Sequence, residues 1–190
     1  MKTVINYGSS AAEGLRAGVN KLAKAVTVTL GPSGCNVIIA KPFIPATATK
    51  DGVTVAKEVN LSDPLENTGA QMVKEVALKA NELSGDGTST AIVLANSIIN
   101  VGFDTIREHK IQPIQYKRGV DLAVKDVVAM LGIIATPLRL NSKRLKDVVN
   151  ISSNGDKTLT REIIKAYKGV GKHGIVTIEE SKGNNTDADI

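Results

Sequence analysis

Apolar residues recur at Leu15, Val19, Leu22 and Val26, with Arg16, Lys21 and Lys24 between them. Steps of four, three and four put those side chains on one face of a helix, predicted to stop near Thr29. Leu30-Gly31-Pro32-Ser33-Gly34 breaks the pattern, and Asn36-Val37-Ile38-Ile39-Ala40 reads as a short buried strand. Pro42 and Pro45 interrupt the next stretch, and Thr47 to Lys50 predicts a second short strand, hence a hairpin through residues 36–50. Lys50-Asp51-Gly52 predicts a tight turn before Val53-Thr54-Val55.

A second amphipathic helix is predicted from Pro64 to about Leu83. Met72, Val73, Val76, Ala77 and Ala80 form its inner face and Lys74, Glu75 and Lys79 its outer one. Beyond Ser84-Gly85, Asp86-Gly87-Thr88-Ser89-Thr90 leads into Ala91-Ile92-Val93-Leu94-Ala95, Ile98, Ile99, Val101 and Ile106. Apolar on nearly every side, that run predicts a central, buried helix. Pro113 opens another at its first position, with a stripe of Tyr116, Val120, Ala123, Val127 and Leu131, ending before Pro137. The texture then changes: a short helix capped at Ser142, a helix from about Thr158 to Lys168, and a strand over residues 174–180. A boundary near residues 134–137 divides the chain into domains 1–135 and 136–190, the second closing in a polar tail from Ser181.

The composition, 42% hydrophobic and 23% charged over 190 residues, excludes a disordered or fibrous chain. Aromatics are only 3%, without tryptophan, so the core is expected to be aliphatic. The single cysteine, Cys35, excludes an intramolecular disulfide, and no Cys/His cluster has the spacing of a structural zinc site. A reducing compartment is expected. No apolar run approaches the about 18 consecutive residues of a membrane span, and no secretory pattern opens the chain, so a cytoplasmic protein without membrane partners is expected. Residues 110–172 hold thirteen Lys/Arg against five Asp/Glu, while the remainder holds eleven against fourteen. Such asymmetry can mark a nucleic-acid surface, but lysines spread singly along helices with few aromatics make that an unfavoured partner.

Three loops carry candidate chemistry. In Gly85-Asp86-Gly87-Thr88-Ser89-Thr90, glycines and hydroxyls precede a strongly helical stretch, whose first amides and positive dipole end suit a phosphate, with Asp86 available for magnesium. The plainer alternative is that Thr88 caps the helix and Asp86 makes a turn. Thr29-Leu30-Gly31-Pro32-Ser33-Gly34 would let backbone approach a ligand, or is an ordinary helix stop. Lys50-Asp51-Gly52 offers a carboxylate able to orient a water, or a simple hairpin turn. No Gly-x-x-x-x-Gly-Lys-Ser/Thr is present, and no Gly-x-Gly-x-x-Gly follows a strand. Cys35, without a neighbouring His, is expected to be a small buried residue, and His109 and His173 to be surface or capping residues.

These loops, in this order and spacing, resemble those of the group I chaperonin large subunit, the bacterial-type protein-folding ring. The likeness extends through Gly18-Val19-Asn20, Val28 to Pro32, Thr49 to Ala56, Glu66-Asn67, Gly69 to Val76, Gly85 to Thr88, Lys117 to Asp121, Val170-Gly171-Lys172 and Gly174 to Glu179. It implies a mainly α fold: the N-terminal half of an equatorial ATP-binding domain with a short β-hairpin, then a small α+β segment of an intermediate domain. It also implies an ATP hydrolase that drives the folding of unfolded client proteins.

By the same resemblance, Thr29, Leu30, Gly31 and Pro32 would cradle the nucleotide with Lys50 beside it. Asp86, Gly87, Thr88, Ser89 and Thr90 would hold phosphates, Asp86 also holding magnesium, and catalytic Asp51 would position the attacking water. Backbone oxygens of Thr29 and Lys50 with the Ser89 hydroxyl would seat potassium. The partners implied are a cochaperonin and further copies in a double seven-membered ring. Ser89 stands where the family usually has Thr, and Ser33 and Cys35 where it usually has basic residues. The client-binding apical part and the returning equatorial half have no counterpart in these 190 residues, which leaves an alternative: a non-enzymatic interaction module that self-associates or joins full-length rings.

Overall fold

Helix α1 runs from Gly8 to Thr27 and buries Gly18, Val19, Leu22, Ala23 and Val26, the face its spacing predicted. In the computed structural model, which describes residues 5–171, 174–179, 183 and 186–189, it is followed by β1 (Val37–Lys41), β2 (Ile44–Thr49), α2 (Gly52–Glu58), α3 (Pro64–Ser84), α4 (Thr88–His109), α5 (Pro113–Ile134), α6 (Lys143–Ser152) and α7 (Lys157–Val170). The chain divides into two compact units, Met1–Asp121 and Leu122–Ile190.

The core of the first unit is aliphatic. Val19, Leu22, Ala23 and Val26 of α1 meet Val53, Val55 and Ala56 of α2, Ala70, Val73 and Ala77 of α3, and Ile92 of α4. Fully burying one Val, Leu or Ile contributes about 1.5–3 kcal/mol, so this cluster dominates the unit's stability. α1 and α3 cross closely enough to require glycine on both: a Cβ on Gly18 would fall 1.7 Å from the Glu66 carbonyl oxygen, and one on Gly69 2.1 Å from that of Leu15. Along the α1–α4 contact, Arg16 donates to both carboxylate oxygens of Asp104 at 2.8 and 3.0 Å and to Asn100 at 2.6 Å, and Asn100 donates to Asn20. α4 is long and apolar enough by composition to cross a bilayer, but this polar row ties it to α1. At the start of α5 the Tyr116 hydroxyl donates to the Ile98 carbonyl, its ring lying over Gly102.

β1 and β2 form an antiparallel hairpin, with Val37 opposite Thr49, Ile39 opposite Thr47, and a bulge between Ile39 and Lys41. The strand expected to be buried is only half covered: Val37 and Ile39 face inward while Ile38 and Ala40 are exposed. A two-stranded ribbon has one covered face, so alternate residues meet water.

In the second unit Val149, Thr160 and Ala166 are buried where α6 and α7 pack, and the Ser153 and Thr160 hydroxyls lie 2.7 Å apart. Ser142 caps α6 as expected, accepting from the Leu145 amide at 3.2 Å, and Asp156 caps α7.

Other expectations need correction. α3 is rotated: Gly69, Ala70, Val73, Lys74 and Ala77 are buried while Met72 and Val76, assigned inward, are exposed, because the glycine crossing fixes which side faces α1. α4 buries only Ile92 and Gly102, and Leu94, Ile98 and Val101 are exposed, since its described neighbours cover one side only. No residue of α5 is buried, its predicted stripe included. Residues 174–179 form no strand, having no described partner to pair with, and Glu180 lies outside the described residues. Cys35 is exposed, on the surface loop between α1 and β1. His109 ends α4 and is exposed, as expected; His173 lies outside the described residues.

Candidate functional site

The three candidate loops occupy three helix termini of the first unit. Thr29 follows the last turn of α1, where its amide and hydroxyl both donate to the Val26 carbonyl at 3.0 and 2.8 Å. The Leu30 amide donates to Thr27, and the chain turns back through Gly31, at φ 79°, so that the Cys35 amide reaches the Val28 carbonyl at 2.8 Å. A Cβ on Gly34 would fall 2.3 Å from the Thr29 carbonyl oxygen. The loop is closed on itself, with Leu30, Gly31 and Pro32 exposed.

Lys50-Asp51-Gly52 does not make the predicted tight turn; it opens α2. Asp51 is the cap: its carboxylate accepts from the Val53 amide at 3.4 Å, from the Thr54 amide at 2.9 Å and from the Thr54 hydroxyl. The Asp51 amide donates to the Thr49 hydroxyl at 3.1 Å. A carboxylate offers roughly four acceptor positions, and three are filled by its own helix, which fixes its orientation and leaves room for one outside donor. Lys50 is exposed beside it. An Asp immediately before a Gly-Val-Thr-Val run is a helix-start signal, and reading it would have found α2.

Asp86 sits between Gly85 and Gly87, both left-handed at φ 68° and 75°. Its Oδ1 accepts from the Gly87 amide at 2.6 Å, and the Ser84 hydroxyl bonds its carbonyl at 2.9 Å. The cap of α4 is Gly87, so the hydroxyls of Thr88, Ser89 and Thr90 are not spent on capping, and among the described residues no side chain accepts from the first amides. Those amides carry the positive end of a 22-residue helix.

Gly52 and Ser89 join two of these loops. A Cβ at position 52 would lie 1.9 Å from Ser89 Oγ and 3.2 Å from Val26 Cγ1. The last turn of α1, the cap of α2 and the first turn of α4 therefore converge on Gly52, and the place of a Cβ there is taken by the Ser89 side chain. No cluster of three His, Cys, Asp or Glu is found among the described residues, so a cation at Asp86 would need oxygens from a phosphate and from water, the coordination magnesium favours. An apolar cavity of about 770 Å³ lies elsewhere in this unit, lined by Arg16, Ile99, Phe103 and Tyr116 among others and by none of the three loops.

Lys74, assigned by its charge to the outer face of α3, is buried, and its ammonium donates to the carbonyls of Lys57 at 2.9 Å and Val59 at 3.1 Å. Burial pushes its pKa down, with nearby Glu58 opposing. No sequence signal marked it, because a lone lysine on a helix is usually solvated.

Residues 22–188 match the TCP-1/cpn60 chaperonin family. The chain belongs to that family. Among solved structures, chaperonin gp146 from the bacteriophage EL 2 (Pseudomonas aeruginosa), in the presence of ATP-BeFx, superposes with a TM-score of 0.80 at 29% identity over 97% of this chain and 32% of its own. A second crystal form of gp146 gives 0.75 over 89% of this chain. A group III chaperonin in the open state gives 0.73 at 25% identity, over 84% of this chain and 32% of its own. The mainly helical fold with one small hairpin is thus that of a chaperonin equatorial domain. The chain spans about a third of the length of these chaperonins, and membership stands at the level of the family rather than of one chaperonin group.

Proposed function

We propose that the chain is the nucleotide-binding part of an ATP-driven chaperonin subunit. The observation that carries the reading is the convergence of the α1 end, the Asp51 cap and the first turn of α4 around Gly52, in a chain whose structural match was crystallised with ATP-BeFx. In this reading Thr29, Leu30, Gly31 and Pro32 cradle the nucleotide and Lys50 flanks it. Gly87, Thr88, Ser89 and Thr90 bind phosphate oxygens through the uncapped amides and spare hydroxyls of α4. Asp86 holds magnesium, and the remaining acceptor position of Asp51 orients the attacking water. Magnesium, when bound with the nucleotide, neutralises phosphate charge. The carbonyls of Thr29 and Lys50 with the Ser89 hydroxyl are the proposed potassium ligands. Unfolded clients, a cochaperonin, a double seven-membered homo-oligomeric ring, a cytoplasmic setting and assignment to group I belong to the same proposal.

Calorimetric titration of the chain with ATP and magnesium tests it. Asp86→Ala is expected to weaken magnesium-dependent binding at least tenfold, about 1.4 kcal/mol. Unchanged affinity would overturn the metal role.

A second reading, a non-enzymatic module that self-associates or joins full-length rings, is favoured by α5, which buries none of its residues. Light scattering with and without ATP separates the two. A monomer that hydrolyses ATP excludes the second.

A further inference from the structure

α2 has seven residues, too few to hold itself as a helix in water. Its position is therefore imposed from outside, by its buried Val53, Val55 and Ala56 and by contacts at its two ends. At the front are the Asp51 cap and Gly52 against Ser89. At the back, the Lys74 ammonium bonds the carbonyls of Lys57 and Val59, on either side of the last helical residue, Glu58. A cation at a helix C-terminus is favoured by the orphan carbonyls and the negative dipole end. Lys74 belongs to α3, whose C-terminal end passes through Gly85 directly into Asp86.

We propose that Lys74 is a positioning residue: it locks the rear of α2 onto α3 and so fixes the Asp51 carboxylate relative to the Asp86 loop. The proposal rests on the nucleotide reading for its functional meaning, but its mechanical part does not. α2 is only seven residues long, so Asp51 at its front lies about two turns from the Lys74 bonds at its rear, and displacements of about 1 Å are enough to spoil catalytic geometry. A buried ammonium is costly unless its protons are bonded, which accounts for the two carbonyls converging on one side chain. Glu58 adds to the same end, its carboxylate paired with Lys41 of β1 at 2.8 Å.

Residue-resolved amide exchange on the full 190-residue chain tests this in Lys74→Met, with Lys74→Arg as a second variant that keeps the charge. A merely local role would raise exchange only at the rear of α2, around Val59. A positioning role raises it at least tenfold at the front as well, at Val53, Thr54 and Val55, while Leu22 and Val73 stay protected; Lys74→Arg recovers most of the loss. Magnesium-dependent nucleotide affinity is expected to fall at least fivefold in Lys74→Met and to return in Lys74→Arg. Unchanged exchange at Val53 to Val55 in folded Lys74→Met, or in a folded Lys74→Arg no better protected than the Met variant, overturns the proposal. If Lys74→Met does not fold, Lys74→Arg decides it, wild-type-like protection at Val53 to Val55 supporting the brace. If exchange responds as expected but Asp86→Ala binds nucleotide like the parent, the nucleotide reading fails and the brace stands.

Discussion

The Cα of Gly52 faces the hydroxyl of Ser89 so closely that a methyl group at 52 would lie 1.9 Å from that oxygen. Gly52→Ala must therefore turn the Ser89 hydroxyl aside or shift α2 against the first turn of α4, and overpacking of this kind costs about 1–3 kcal/mol. Ser89→Gly removes the obstructing atom. The double variant is expected to regain most of the stability lost by Gly52→Ala, measured by urea unfolding; a strictly additive double variant would contradict direct contact.

The α1–α3 crossing is less forgiving. Gly18 and Gly69 face backbone carbonyls rather than a movable side chain, so Gly18→Ala and Gly69→Ala are expected to cost at or above about 3 kcal/mol, the upper end of overpacking. Equilibrium unfolding of each variant checks this, with Gly119→Ala, inside α5 and meeting nothing within 4 Å, as a control expected to lose no stability and to gain up to about 1 kcal/mol.

Acid should weaken the α1–α4 contact. Hydrogen bonds from Arg16, with the charges of Arg16 and Arg107, hold the Asp104 carboxyl below its usual value despite some desolvation. A carboxylate so depressed binds fewer protons folded than unfolded, so its stabilisation is present above the ordinary carboxylate range and is lost as pH falls through the folded value. Asp104→Asn is expected to lower the urea midpoint at pH 7 and to flatten the decline between neutral and strongly acidic pH. Because the Asp104 side chain is 42% exposed, added salt should shrink the difference.

The second functional reading places its weight on α5. Val128 is 61% and Leu131 54% exposed; if they mediate association, Val128→Lys with Leu131→Lys should abolish concentration-dependent growth in mass by light scattering. Circular dichroism should show helix content retained, because neither residue is buried.

Periodicity made most of the helices legible, and the three loops were legible because glycine and hydroxyl residues cluster at their ends. α2 was missed because seven residues cannot display a period, and its only marker is the Asp51 cap. The inner face of α3 was misread because helical spacing gives a stripe but not its rotation, which the Gly18–Gly69 approach decides. Lys74 was hidden for the same reason: charge argued for water, and the two carbonyls that accept its protons come from residues fifteen and seventeen positions away. The burial expected of α4 presupposes neighbours on nearly every side and that of the α5 stripe a neighbour along one face; the described residues cover one side of α4 and bury nothing of α5.

The phenol of Tyr116, bonded to Ile98 and resting over Gly102, also gives the molecule a built-in optical reporter. With no tryptophan to outshine it, and with Tyr7 at 84% and Tyr167 at 40% exposure already emitting from wetter surroundings, loosening of the α4–α5 corner should register as a change in ultraviolet emission that needs no dye or label.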